Sequence, residues 1–226
     1  GTHSEGAGAR LPRPASTFVG RAGIIADIQR QFDTARLITL TGAGGIGKTR
    51  LATELRIAVS TSDAFTDGTA MVELAQIRTD DDVPETVVRA LGLSAATALG
   101  PVAQLAQYVS DRDMLLVLDN CEHVLAGCRA LVDALLQSSP GLCVLTTSRE
   151  PLGITGEQVI NVRPLTVPPT SELTDAATAR SYEAVALLED RARAVNDKFC
   201  LDESNVQAAI DICIQLDGLP LAIELA

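Results

Sequence analysis

The sequence predicts an α/β fold in which a central parallel sheet is covered by helices on both faces. Short apolar runs of strand length alternate along the chain with segments of helical spacing, as in proteins built from strand–helix units. The strand-like runs are apolar at consecutive positions, which is expected when both faces of a sheet are buried. A glycine-rich loop joins the first of these strands directly to a helix. Together these observations favour a parallel sheet over an antiparallel one.

Each predicted element follows from its local pattern. The predicted strands span 36–42, 70–74, 113–119, 142–147 and 158–162. The predicted helices among them span 48–60, 82–91, 102–109 and 121–138. After Pro164 the composition changes to that of a linker, and helical patterns at 181–195 and 204–216 then follow without strands between them.

The chain divides into four predicted regions. Residues 1–17 are rich in Gly, Ala, Pro, Ser and Arg without periodicity, which predicts a disordered lead-in. Residues 18–165 form the predicted α/β domain, 166–177 the linker, and 178–226 a small helical domain that could close over the first as a lid. The last pattern, 219–226, has no helix stop signal, so we expect a truncated helical domain and a chain that is a fragment of a larger protein.

The glycine-rich loop, Gly42-Ala43-Gly44-Gly45-Ile46-Gly47-Lys48-Thr49, fits the pattern G-x-x-x-x-G-K-[ST] between a strand and a helix. Backbone N–H groups of such a loop form an anion-binding nest, and glycine lets the backbone approach a phosphate closely. The dipole of the following helix adds positive potential. We therefore predict a P-loop NTPase fold, a three-layer sandwich. The predicted nucleotide-binding residues here are Gly42, Gly44, Gly45, Ile46, Gly47, Lys48, Thr49 and Arg50.

Lys48, Thr49 and Asp119 are predicted to neutralise the phosphate charge, directly or through a bound Mg²⁺ ion. The Lys48 ammonium group is expected to reach the β- and γ-phosphates, and the Thr49 hydroxyl to bind Mg²⁺. Asp119 ends an apolar run that begins at Met114, so it lies at the carboxyl edge of the sheet, where α/β proteins bind ligands. Thr49 and Asp119 are the predicted magnesium residues, and Lys48 and Asp119 are predicted to be catalytic.

Hydrolysis also needs a group that orients or deprotonates water. Asn120 follows Asp119 at a position where a second acid could serve, and asparagine cannot act as a base. Glu122 is then the predicted catalytic candidate, and His123 is a second one. Either residue could equally be a solvent-exposed member of the first turn of the next helix, where glutamate favours the helix dipole.

Arg149 is the predicted γ-phosphate sensor. It follows the strand 142–147 and should emerge at the same sheet edge as Lys48 and Asp119. A guanidinium group there could contact a γ-phosphate and distinguish ATP from ADP. The alternative is an arginine paired with Glu150 in water, which contributes little.

The composition restricts the class of partner. The formal net charge is −11 and aromatic residues make up 3%, which argues against direct contact of this segment with nucleic acid or an anionic membrane. Five cysteines without a C-x-x-C pair predict reduced thiols, and two histidines make zinc an unfavourable choice. No apolar run reaches the roughly 18 residues of a membrane span. We therefore expect a cytoplasmic protein.

The order of the motifs resembles that of a known class of proteins, the STAND signalling ATPases. The motifs are Phe18–Arg21, the glycine-rich loop, Leu115–His123, Thr146–Leu152 and Gly218–Ala222. Within that class, which is related to the AAA+ ATPases, the chain is similar to the NB-ARC-type module of bacterial multidomain transcriptional regulators, such as those with antibiotic-regulator or LuxR-type DNA-binding domains. The resemblance covers nearly everything after residue 17.

The resemblance implies roles for residues outside the loop. It places Val19, Gly20 and Arg21 near the adenine and ribose, and Pro220 near the base from the helical domain. It implies ATP or ADP with Mg²⁺ as cofactors, the other domains of a full-length chain as partners, and nucleotide-dependent self-assembly. The chain departs from the family pattern at two places. Ala22 and Gly23 stand where relatives usually carry acids, and Asn120 replaces a second acid, which argues against fast hydrolysis.

The function predicted from these observations is that of a regulatory switch, in which ATP or ADP selects between closed and open arrangements and slow hydrolysis acts as a timer. Two alternatives remain. A non-catalytic, nucleotide-dependent interaction scaffold is favoured by Asn120. A P-loop kinase acting on a small molecule is disfavoured by the helical segment that ends in Gly218-Leu219-Pro220-Leu221.

Overall fold

Five parallel strands form the central sheet of the computed structural model, which describes residues 17–61, 64–94, 99–169 and 175–226. The strands are β1 (Leu37–Thr41), β2 (Thr69–Glu73), β3 (Met114–Asp119), β4 (Leu142–Ser148) and β5 (Glu157–Asn161). Their order in the sheet is β2-β3-β4-β1-β5, and every neighbouring pair is parallel. Each predicted strand is confirmed, with bounds that differ by one residue at most.

Helices pack on both faces of this sheet. They are α1 (Ala22–Gln31), α2 (Lys48–Ser60), α3 (Asp82–Ala90), α4 (Pro101–Val109) and α5 (Leu125–Ser138). Alternate residues of β3 face opposite layers: Leu115 and Val117 belong to the apolar cluster of α1 and α2, and Leu116 and Leu118 to that of α3, α4 and α5. The predicted three-layer α/β sandwich is therefore confirmed.

The prediction that the strands are buried on both faces is right for the centre of the sheet only. Every residue of β1, β3 and β4 is buried. In β2 and β5, which lie at the two edges, most residues are partly or fully exposed. An edge strand has a neighbour on one side alone, so the helices above and below it cover it less completely.

Two helical predictions need correction. Helix α1 lies directly after Arg21 and was not predicted. The segment 121–138, predicted as one helix, is a short 3-10 turn at Cys121–His123 followed by α5 from Leu125. The break coincides with a left-handed conformation at Asn120, with φ 67°, and with contacts of His123 Nε2 to the carbonyl oxygens of Leu74 and Ile77 at 3.0 and 3.1 Å.

A third apolar cluster organises the C-terminal part of the chain, residues 175–226, here called the helical segment. It contains α6 (Ala176–Ala179), α7 (Glu183–Val195), α8 (Val206–Gln215) and α9 (Pro220–Leu225). Helix α6 begins inside the predicted linker, where the Asp175 carboxylate accepts a hydrogen bond from the Thr178 N–H at 2.7 Å. Part of that linker, 170–174, and residues 1–16 of the predicted lead-in lie outside the described residues.

Among the described residues, none of the helices combines the length and the apolar character that a membrane-spanning segment needs.

Candidate functional site

A cleft of about 550 Å³ lies between the carboxyl edge of the sheet and the helical segment. This volume falls within the roughly 300–1,000 Å³ of small-molecule sites. One end is polar and is lined by the glycine-rich loop, Asn120, Glu122, Thr147 and Arg149. The rest of the lining, here called the apolar end, comes from Phe18, Val19, Leu165, Leu187, Pro220 and Leu221, together with Arg191 and Glu224. Pro220 and Leu221 also lie against Gly47 and Gly45 of the glycine-rich loop. The cleft thus offers both charged and apolar side chains to one ligand.

The glycine-rich loop wraps around the Lys48 side chain. Lys48 Nζ donates to the carbonyl oxygens of Gly42 and Ala43, at 2.8 and 3.0 Å. Gly45 and Gly47 have φ values of 75° and 88°, in the left-handed region that favours glycine. Burial lowers the pKa of Lys48, the charge of Arg149 lowers it further, and the carboxylates of Glu122 and Asp119 act in the opposite direction. Lys48 therefore lies in the field of the three other residues that were predicted to be catalytic, Asp119, Glu122 and Arg149.

Asp119 and Thr49 meet, as predicted for a magnesium site. The Thr49 hydroxyl donates toward the Asp119 carboxylate, 2.9 Å from each of its oxygens. Asp119 is 5% exposed, and its Oδ1 accepts a second hydrogen bond, from the Thr147 hydroxyl at 2.5 Å. Hydroxyl and carboxylate oxygens are the hard donors that Mg²⁺ prefers, and Mg²⁺ needs only one or two of them beside phosphate and water. The residues present therefore fit this ion.

Glu122 and Arg149 form an ion pair at the polar end of the cleft. Arg149 Nε lies 3.4 Å from Glu122 Oε1, so the partner of Arg149 is Glu122 rather than Glu150. The arginine side chain is 69% exposed, whereas that of Glu122 is 18% exposed and its Oε2 is buried without a hydrogen-bond partner. An unpartnered buried carboxylate oxygen is costly unless something binds it. Glu122 is thus available for a further hydrogen bond, while His123 is held by Leu74 and Ile77.

The residues that precede α1 lie at the apolar end of the cleft. The resemblance places them near the adenine base, but the polar contacts of Arg21 are with backbone carbonyl groups of the protein. Arg21 is 6% exposed, and its guanidinium donates to Ile46 O at 2.8 Å and to Arg163 O at 2.7 Å. The Glu183 carboxylate fills the space where a Cβ on Gly20 would lie, 2.7 Å away. Val19 and Arg21 line the cleft, as does Pro220 from α9.

Arg50, at the start of α2, is the last predicted residue of the loop region. It lies over the Phe18 ring, 5.7 Å from the ring centroid, and pairs with Glu54 at 2.8 Å. Every predicted site residue except Gly20, Gly42, Ile46 and Asp119 lines the cleft directly. Gly42, Ile46 and Asp119 are hydrogen-bonded to residues that do, and Gly20 lies between Val19 and Arg21 in the chain.

Four residues with a place in this site were not predicted. Thr147 connects β4 to Asp119 and also accepts the Asn120 N–H at 2.9 Å. Glu183 accepts the Arg21 N–H at 2.8 Å, which joins the helical segment to the start of α1. Arg191 and Glu224 pair at 2.8 Å beside the apolar end. Thr147 could have been recognised from the Thr-Thr-Ser-Arg run that ends β4. Glu183 and Arg191 could not, because charged residues in a helical pattern usually face solvent.

Comparison with known proteins identifies the family to which this chain belongs. Residues 29–147 match the AAA domain family, which covers more than half of the chain. An uncharacterized protein of Mycobacterium tuberculosis is 39% identical over 214 residues, 95% of this chain and 51% of that protein. A second protein of that organism, whose name describes it as an HTH-type transcriptional regulator, is 42% identical over 191 residues, 84% of this chain and 20% of that protein. The chain therefore spans about half of the first relative and a fifth of the second.

Two solved structures have a similar fold. A STAND protein of Pyrococcus horikoshii with a tetratricopeptide repeat sensor has a TM-score of 0.56 and 16% identity, over 96% of this chain and 30% of that chain. A Walker-type ATPase of Pyrococcus abyssi has a TM-score of 0.56 and 15% identity, over 91% and 66%. At such identities the likeness concerns the fold. From the family match and the site that its fold assembles, we conclude that the chain belongs to the AAA domain family of P-loop ATPases.

Proposed function

We propose that this chain is the ATP- and ADP-binding switch module of a larger regulator of transcription or signalling, with slow Mg²⁺-dependent ATP hydrolysis. One observation carries the proposal: the helical segment contacts the phosphate-binding loop directly, since the Leu221 N–H donates to Gly45 O at 3.2 Å. A ligand whose phosphates occupy the loop must therefore affect, or respond to, the position of the helical segment. Such a differential interaction is what a ligand-operated switch requires.

The residues of the polar end have complementary roles in this proposal. Lys48 neutralises phosphate charge, and Thr49 and Asp119 hold Mg²⁺, which supplies further charge neutralisation at the phosphates when bound. Thr147 keeps the Asp119 carboxylate at the end of β3 through its 2.5 Å hydrogen bond. Arg149 contacts the γ-phosphate, which only ATP carries.

Slow hydrolysis follows from the side chains that stand near Asp119. The Asn120 side chain carries an amide instead of a carboxylate, and its backbone N–H donates to the Thr147 hydroxyl. Glu122 is the nearest carboxylate that could orient water, and its Oε1 is already paired with Arg149. We therefore expect single-turnover hydrolysis of Mg²⁺–ATP well below the roughly 1–10³ s⁻¹ of typical enzymes. A rate within that range would contradict the proposal.

The Glu122→Gln variant separates this switch from a non-catalytic scaffold. If Glu122 orients water, the variant should lose most of the residual hydrolysis and keep its affinity for ATP. Glu150→Gln, at an exposed position of the same sheet edge, is the matched control and should hydrolyse ATP like the unmodified chain. No hydrolysis by any of the three proteins, with ATP binding retained, would favour the scaffold. Turnover only after a small-molecule acceptor is added would instead indicate a kinase.

The biological context of the proposal comes from the relatives. The relative named as an HTH-type transcriptional regulator is about five times as long as its matched part, because this chain covers 20% of it. We propose by analogy that other domains of a full-length chain are the partners of this module, that nucleotide-dependent self-assembly transmits its state, and that it works in the cytoplasm without contacting nucleic acid itself. Gel filtration with ADP and with an ATP analogue tests the assembly.

A further inference from the structure

Two consecutive carbonyl groups of the phosphate-binding loop are held by groups from distant parts of the chain. Gly45 O accepts the Leu221 N–H of α9 at 3.2 Å. Ile46 O accepts Arg21 Nη1 at 2.8 Å, and the same guanidinium reaches Arg163 O, after β5, at 2.7 Å. Neither donor belongs to the strand or the helix that the loop connects.

These contacts fix the direction of amides as well as of carbonyls. In a trans peptide the C=O and the following N–H point in opposite directions, and all described peptides are trans. Because Gly45 O faces the Leu221 N–H, the Ile46 N–H points away from Leu221, and because Ile46 O faces the Arg21 guanidinium, the Gly47 N–H points away from that guanidinium. The amides of such a loop are the groups that bind phosphate. The two outer contacts therefore orient two amides of the anion-binding nest.

The loop needs such restraints because it is rich in glycine. Gly45 and Gly47, on either side of Ile46, have φ values of 75° and 88°. Glycine reaches positive and negative φ values about equally easily, so the peptide groups beside it can rotate when nothing holds them. External hydrogen bonds reduce that freedom before a ligand arrives, which is how preorganisation raises affinity.

We propose that Arg21 and the Leu221 N–H are positioning groups for the phosphate-binding loop, so that phosphate binding and docking of α9 stabilise each other. The inference rests on the proposed function, since it concerns the same site. It adds that the coupling runs through the backbone of the loop and does not need a contact with the nucleobase. Because coupling is reciprocal, a phosphate ligand should strengthen the docking of α9 by the factor by which docking strengthens phosphate binding.

Hydrogen bonds hold the backbone of Arg21 in place. It adopts a left-handed backbone conformation with φ 59°, and its N–H donates to Glu183 Oε1 at 2.8 Å. Glu183 Oε2 accepts the Thr166 N–H at 3.3 Å, so one carboxylate of α7 joins Arg21 to the segment after β5. A guanidinium held in this way can serve as a rigid two-point donor, which a lysine cannot reproduce.

Inorganic pyrophosphate with Mg²⁺ distinguishes this inference from a base contact, because this probe has no adenine or ribose. In the Arg21→Gln variant we expect pyrophosphate and ADP to bind at least about tenfold more weakly, the effect of losing a hydrogen bond to a charged group. Arg21→Lys should recover part of the loss through one of the two carbonyls. Unchanged pyrophosphate affinity in a folded Arg21→Gln protein would overturn the inference and favour a contact with the base.

A second pair of variants tests the N–H of α9 alone. Leu221→Pro removes the N–H at the second position of α9, where proline is tolerated, and Leu221→Ala keeps the N–H but removes the side chain. Pyrophosphate should bind more weakly to Leu221→Pro than to Leu221→Ala. Equal affinities of these two variants would overturn the role of the N–H, whether or not Arg21→Gln folds.

The reciprocal effect is measured in the unmodified chain by hydrogen exchange. Pyrophosphate with Mg²⁺ should slow the exchange of amides 219–226, including that of Leu221. Unchanged exchange in the presence of bound pyrophosphate would overturn the coupling. If the unmodified chain binds neither pyrophosphate nor ADP, the proposed function itself fails, which is a different outcome.

Discussion

At the scale of single residues, the polar end of the cleft depends on charges that are held close together and away from water. Lys48 and Asp119 are 8% and 5% exposed, so neither charge is well screened by solvent. The carboxylate of Asp119 and its hydroxyl partners are fixed at 2.5–2.9 Å. We therefore expect this site to bind phosphate together with a divalent cation, because their charges complement those of Lys48 and Asp119.

Replacing Lys48 by alanine should remove tight nucleotide binding and leave the fold intact. The variant loses the only lysine of the loop, and we expect ATP and ADP to bind weaker by about one to two orders of magnitude, the range of one or more hydrogen bonds to a charged group. Isothermal titration measures the affinity, and circular dichroism the fold. Lys198→Ala, at the other lysine of the chain, is the matched control and should bind normally. Normal ATP affinity in a folded Lys48→Ala protein would refute the assignment of the loop.

Asp119→Asn should weaken nucleotide binding mainly in the presence of Mg²⁺. The amide keeps the shape of the carboxylate but removes its charge, which is what the cation requires. We expect about a tenfold loss of ADP affinity with Mg²⁺ and little change in EDTA, both measured by titration. Thr147→Val, which removes the hydroxyl that donates to Asp119, should shift affinity in the same direction by a smaller amount. Equal losses with and without Mg²⁺ would make Asp119 a structural residue.

At the scale of elements, the sequence predicts what local patterns determine and misses what distant contacts determine. The central strands were predictable because each contains a short run of apolar and β-branched residues, most clearly residues 114–118 in β3. The edge strand β5, Glu157–Asn161, has polar residues at both ends and a shorter apolar signal. Helix α1 was not predictable from its start, since Arg21 is no helix-capping residue type and Gly23 disfavours a helix interior. The helix is held instead by Ile28, which is completely buried against the core.

The site residues, like the elements, were predictable where a local pattern marks them and not where distant contacts place them. The residues of the glycine-rich loop, Asp119 and Arg149 were found because each sits at a recognisable strand end. Arg21 was predicted near the base, and its hydrogen bonds to Ile46 O and Arg163 O could not be foreseen, because these partners lie 25 and 142 residues away. The break between Cys121 and α5 depends on contacts of His123 with a loop that precedes it by some 46 residues, which no local pattern encodes.

The helical segment depends on one buried carboxylate. Glu189 on α7 is 7% exposed and accepts hydrogen bonds from Arg180, Arg193 and the Leu201 N–H. Burial raises the pKa of Glu189, but these hydrogen bonds and the two positive charges outweigh it, so the pKa lies below that of a free glutamate. A depressed pKa contributes stability above the pKa of the unfolded chain, and this contribution is lost as the pH falls through the folded value.

Glu189→Gln should therefore lower the free energy of unfolding at pH 7 by about 1–2 kcal/mol. The difference from the unmodified chain should shrink as the pH falls below the ordinary glutamate value of 4.5, because the native carboxyl then becomes neutral as well. Urea denaturation at several pH values measures it. Asp211→Asn, at an exposed acidic position of α8, is the control and should show no such loss. A penalty that is independent of pH would contradict the role of the charge.

At the scale of the whole molecule, the cleft lies between two apolar cores, that of the sheet and that of the helical segment. Arg149 is 69% exposed and paired with Glu122, and we propose that it distinguishes ATP from ADP. Arg149→Ala should weaken ATP binding about tenfold or more and ADP binding far less, as titration can measure. Arg89→Ala, at an exposed arginine of α3, is the control. Equal losses for both nucleotides would require another sensor.

Hydrogen exchange of residues 204–226 tests the central claim, that the nucleotide sets the state of the helical segment, most directly. The unmodified chain and Arg149→Ala are compared with saturating Mg²⁺–ADP and with a non-hydrolysable ATP analogue. We predict that the ATP analogue protects residues 204–226 more than ADP does in the unmodified chain, and that Arg149→Ala removes this difference. Identical protection of these residues by both nucleotides in the unmodified chain would contradict the account.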